Sequence, residues 1–184
     1  MFIPGILISL LTFPGVIVHE LAHKLACDMC GVPVFEVKYF QFSNPCGYVL
    51  HASTDNPAKN FFITFGPFLV NTLLGMFISA PATYFLFCAG SLQALPSDLL
   101  KIPLFILLWL GISILMHAFP STGDAKSLFA SVIKNKKVNI LVKILVFPFV
   151  VLIYLGAIGS YIWLDLVYAL AIAVLLPKLL VVLM

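Results

Sequence analysis

The chain contains no arginine and only two glutamates, Glu20 and Glu36, and charged residues make up 9% of its 184 positions. Soluble domains carry about 25% charged side chains, so this chain lacks the polar surface that keeps a folded core in water. The same shortage excludes a nucleic-acid partner. The net charge of +3 rests on ten lysines scattered between apolar runs, with no concentrated basic face. The four cysteines, Cys27, Cys30, Cys46 and Cys88, do not form a secreted disulfide framework. Cys27 and Cys30 have the spacing of a redox or zinc pair, but no second pair lies nearby, and they read as loop cysteines. The N-terminal stretch lacks the positive charge that opens a secretory signal, so it is expected to stay in the membrane.

What the chain has instead is apolar length. Hydrophobic residues make up 62% of it, and its mean hydropathy is +1.16. Runs of about 20 apolar residues cross a bilayer as helices. They occur at residues 3–26, 60–88, 99–119, 139–158 and 161–183. The reading is an all-α polytopic membrane protein with about five transmembrane helices, without room for an appended soluble domain of ordinary size. Between the first two runs, residues 34–42 alternate imperfectly as a strand. Asn44-Pro45-Cys46-Gly47 is a turn signal, and residues 48–51 supply a returning strand. This predicts a small β-hairpin or a membrane-associated loop. Pro67 and Pro81 predict kinks in the second run, and residues 90–97 form a short polar connection.

The lysines orient these helices. With the N-terminus outside, the stretches 24–59 and 120–143 and the C-terminal end are cytoplasmic. Nine lysines then lie inside and only Lys101 outside. The fourth and fifth runs carry little chemistry beyond Asp165, which this topology places near the outer surface.

The polar exception in the first run is His19-Glu20-Leu21-Ala22-His23. Histidines four apart on a helix project from one face and reach one metal ion, and the glutamate beside the first is placed to take a proton from an attacking water. Ionisable groups inside a bilayer cost about 2.5–3.5 kcal/mol each on insertion scales, so their clustering points to function. Catalytic zinc usually takes three protein ligands. The extended HExxHxxGxxH pattern fails, because Ala26 and Met29 stand where glycine and histidine belong. Glu36 lies in the predicted strand and reads as solvated. The remaining candidates for a third ligand are His51, His117 and Asp124. His51 reads as a loop residue that the hairpin could bring near.

Three motifs in order, HExxH, then Gly66-Pro67 with Asn71, then Pro120 with Asp124, resemble the site-2 protease family of intramembrane zinc metalloproteases. The resemblance covers residues 3–125. It departs from the family pattern in placing Asn71 one residue late, and in having His117 where the family has asparagine before its proline. It implies Zn²⁺ held by His19, His23 and Asp124, with Glu20 as general base and Asn71 and His117 as hydrogen-bond donors in the transition state. On this reading residues 1–125 are a three-helix catalytic core, and residues 126–184 are a basic cytoplasmic loop with two further helices. It also implies a short form without a PDZ or nucleotide-sensing domain. The partner is a transmembrane protein cut within or near its span, in the lipid bilayer of a prokaryotic cell membrane, at a site near the cytoplasmic side. The strand at 34–42 is expected to pair with the unwound substrate. Two other classes share these features: a catalytically silent relative that binds membrane proteins, and a metal transporter. The near absence of ionisable residues from the second, fourth and fifth runs counts against transport.

Overall fold

The computed structural model of the chain describes residues 5–85 and 101–175, with the single positions 99 and 177. It is mostly helical, with one two-stranded antiparallel sheet. The predicted connection at 90–97, Cys88, Lys178, and residues 3–4, 86–88, 100, 176 and 178–183 of the predicted runs lie outside the described residues.

The first run is not one straight helix. Helix α1 (Gly5–Leu11) and helix α2 (Phe13–Cys30) meet at Thr12 with a bend of 89°. Pro14 stands in the first turn of α2 and has no N–H to offer the preceding turn. The Thr12 hydroxyl turns back to donate to the Ile8 carbonyl at 2.7 Å. The Leu11 carbonyl accepts from the Trp109 indole at 3.2 Å.

Strands β1 (Val34–Lys38) and β2 (Tyr48–His51) form the predicted hairpin. Lys38 pairs with Tyr48 and Val34 with His51, with a bulge between Val34 and Glu36. β1 ends at Lys38, short of the predicted 42. Helix α3 (Pro57–Thr83) begins at Asn56, whose side chain accepts from the amides of Ala58 and Lys59, and it continues through both Pro67 and Pro81. Its 27 residues make it about 40 Å long.

Everything downstream is arranged along α3. Helix α4 (Lys101–Met116) and helix α5 (Thr122–Leu128), extended by a wider π turn over Phe129–Ile133, run antiparallel to it. Ser79 and Gly75 of α3 lie against Gly111, Asn71 meets Ile114 and His117, and Asn60 meets Ser127 and Ser131. The register passes from α4 into α5 unbroken, so the two form a single rod interrupted at residues 117–121. Helix α6 (Ile140–Gly159), a tight turn at Ser160–Ile162, and helix α7 (Leu164–Leu170), extended by a π turn over Ala171–Leu175, make a second such rod. Phe149 packs on Phe61 and Phe65, Tyr168 bonds Thr72, and the Ala173 carbonyl accepts from Thr83. All three contacts climb α3 in one direction. The fourth and fifth runs therefore do not double back on each other at residues 156–160.

Two helices, Pro57–Thr83 and Ile140–Ile162, are long and apolar enough to cross a membrane, or three if α1 and α2 count as one bent span. α4 and α7 are shorter, and five separate spanning helices are not present among the described residues. The apolar surface suits lipid. On α6, Ile144, Leu145, Leu152 and Ile158 are each more than half exposed, an arrangement water would not tolerate. The interior holds Ala125, Leu128, Val132, Val146, Val150 and Ile153 between α5 and α6, and Leu115, Met116, Ala169 and Ala173 between α4 and α7.

Candidate metal centre

The interruption at residues 117–121 creates the site. The chain leaves the helix after Met116, and the Ser121 amide, which would serve the His117 carbonyl in a continuous helix, donates to Asp124 Oδ2 instead. Two side chains take its place. His19 Nδ1 donates to this carbonyl at 2.6 Å, and Asn71 Nδ2 donates to it at 3.0 Å. One helical turn along α2, His23 Nδ1 donates to the Ile63 carbonyl at 3.0 Å. Both imidazoles are buried, and their rings stand 4.8 Å apart. With each Nδ1–H tied to a backbone carbonyl, the tautomer and ring orientation are fixed and each Nε2 keeps its lone pair for a metal.

Asp124 completes the group. Its Oδ2 lies 3.6 Å from His23 Nε2, and the candidate ligand atoms of His19, His23 and Asp124 all fall within 4.8 Å of one another. Ser121, the N-cap of α5, fixes the carboxylate. Its amide and hydroxyl both donate to Asp124 Oδ2, at 2.8 and 2.7 Å, while the Asp124 amide donates to Ser121 Oγ at 3.2 Å. This is a capping box with aspartate in the usual glutamate position. Two imidazole nitrogens and a carboxylate oxygen make a donor set that suits Zn²⁺.

Glu20 lines the same cavity of about 210 Å³ as the triad. The opposite wall is the hairpin: Gly47, Tyr48, Val49 and His51. A Cβ on Gly47 would lie 2.8 Å from Glu20 Cγ and 2.9 Å from Val16 Cγ1, so only glycine lets this loop close onto Glu20. His51 thus reaches the cavity wall, with its Nδ1 donating to the Ala52 carbonyl at 2.9 Å, but it stands outside the ligand group.

His117 and Asn71 are both engaged within the protein, and His117 also lines a cavity with His19 and Glu20. His117 Nε2 donates to Thr12 Oγ1 at 2.8 Å, and its carbonyl serves His19. Asn71 is fully buried. Its Nδ2 reaches three carbonyls, those of Gly15, Ile114 and His117, at 3.3, 3.1 and 3.0 Å, and its Oδ1 is buried without a partner among the described residues. Here it clamps α2 to the α4 end. Cys27 is packed with Ala26, Val32 and Ile63, and neither it nor Cys30 joins a metal-binding group among the described residues. Sequence reasoning passed over Ser121 and Thr12. The Ser-x-x-Asp spacing at 121–124 was the available signal for the first, while the role of Thr12 has no local signature.

No family model matches the chain, and no curated protein or solved structure matches it either.

Proposed function

We propose that this chain is an intramembrane zinc metalloprotease of the kind the three motifs resemble, hydrolysing a peptide bond within or near a transmembrane segment of another membrane protein. The observation that carries the reading is the orientation of the two histidines. Each donates Nδ1–H to a carbonyl, His23 directs Nε2 toward Asp124 and His19 joins the same ligand group, and a carboxylate outside that group, Glu20, stands in the same cavity. A purely structural metal site has no use for that fourth group.

His19, His23 and Asp124 would hold Zn²⁺, which supplies Lewis acidity toward a carbonyl and acidifies water in its shell. Glu20 takes the proton of the attacking water and returns it to the leaving amine. His117 and Asn71 act as positioning residues, the first through its carbonyl and the second by holding that carbonyl in place. A transmembrane helix has its peptide groups internally bonded, so the substrate must unwind to enter. The hairpin wall beside Glu20 supports pairing of the unwound segment with a strand edge.

In the membrane, we read α2 as descending to the cytoplasmic side, α3 as returning, and each interrupted rod as one further crossing. The N-terminus then lies outside, and the metal centre is reached from the cytoplasmic side of a prokaryotic cell membrane. The deciding experiment pairs zinc analysis of purified protein with cleavage of a single-span model substrate. Wild type should cut it, whereas Glu20→Gln should retain zinc and lose about 10²–10⁴-fold in rate. Zinc bound with no hydrolysis by wild type would leave a silent, binding-only relative; no zinc at all would end both readings.

A further inference from the structure

Asp165 is the acidic side chain that the metal centre does not use. Of the seven acids in the chain, Glu20 and Asp124 belong to the centre, Asp28 pairs with Lys24, Glu36 takes Lys38 and Tyr48, and Asp98 lies outside the described residues. Asp55 is exposed in a polar loop. Asp165 stands at the start of apolar α7 with no cationic partner among the described residues. Its Oδ1 accepts from the Leu166 amide at 2.9 Å. The backbone is bent to put it there. Trp163 sits in the left-handed region at φ 65, a conformation that is costly for a bulky side chain and that clusters at functional sites.

The bend brings Asp165 onto a cavity of about 650 Å³ whose other walls include His19, Glu20 and His117. The interrupted part of the α6–α7 rod thus faces the interrupted part of the α4–α5 rod. The lysine topology places Asp165 near the outer surface with α6 and α7 as an out-and-back pair, whereas the contacts of the two climb α3 together.

We propose that Asp165 is a specificity-determining residue that receives a lysine or arginine side chain of the substrate near the bond to be cut. A carboxylate facing a cavity inside an apolar protein is costly unless a cation meets it, and among the described residues no lysine or arginine lines this one. An unwound substrate supplies one, and its flexible methylene stem lies along the apolar wall while the charge reaches Asp165. The inference rests on the proteolytic reading for the identity of the ligand as a polypeptide.

The test separates the two. Zinc-loaded Glu20→Gln protein is titrated in detergent with synthetic single-span peptides carrying one Lys, Leu or Glu at successive positions. At one or two positions the Lys peptide should bind at least tenfold more tightly than the Leu peptide. Asp165→Asn should reduce that preference to twofold or less, Asp165→Glu should keep it, and Asp165→Lys should transfer it to the Glu peptide. A transferred preference in protein that retains its zinc does not arise from misfolding. Equal binding of Lys and Leu peptides at every position, or a preference that Asp165→Asn leaves intact, overturns the proposal. Hydrolysis of the same peptides by protein with Glu20 intact is read separately. Selective binding without cleavage defeats the proteolytic reading and leaves the subsite standing.

Discussion

Ser121 carries two functions in one side chain, since its hydroxyl both caps α5 and holds Asp124 Oδ2. Ser121→Ala removes the cap, worth about 1 kcal/mol, and leaves the carboxylate free to turn. Loss of such a supporting bond lowers metal affinity about 10–100-fold, which a zinc titration against a competing chelator would read; an unchanged affinity would mean the carboxylate is not a ligand.

Between elements, the clamp and the cover decide the geometry. Asn71 holds three carbonyls where α2, α3 and the end of α4 cross. Asn71→Ala should lower stability by about 1–3 kcal/mol. Because the His117 carbonyl orients His19, the same change should weaken zinc binding without any contact to the metal. A variant that loses hydrolysis while keeping full stability and zinc affinity would instead make Asn71 a group acting on substrate. Gly47 is the corresponding point on the hairpin. Gly47→Val drives a branched side chain into Glu20 and Val16, so the loop at 44–47 must lift. The expected outcome is faster labelling of Cys46, buried in the native chain, by a thiol reagent, with reduced hydrolysis.

For the molecule as a whole, the interrupted rods change the topology. If α4–α5 and α6–α7 each cross once, the C-terminus emerges on the side opposite the 134–139 turn. Five separate crossings put the two on the same side. Membrane-impermeant labelling of Lys137→Cys, combined with a reporter fused at the C-terminus, distinguishes the outcomes, and labels on the same side would rule out the rod reading. The two interruptions, at 117–121 and 160–163, stand beside one cavity. Hydrolysis requires polar backbone and water inside an apolar protein, and non-helical backbone is tolerated there only where it lines such a cavity.

The sequence by itself determined the membrane class, the hairpin and the candidate metal residues. Each is written locally: apolar composition, a turn between two β-prone stretches, and an HExxH spacing that a single helix converts into adjacency. Asp124 was legible as a candidate because few other ligands exist in the chain, but its aim depends on Ser121 and on the break before it. Only the tertiary structure decided how apolar runs join into rods. Run length does not reveal whether a helix that stops at His117 or Ser160 turns back or resumes in line; contacts along α3, from Asn60 to Thr83, set that. The same holds for Asn71, whose amide serves carbonyls 56, 43 and 46 residues away in the chain, and for Asp165, which the α6–α7 bend turns toward Glu20. Such partners are distant in sequence, and no spacing rule connects them.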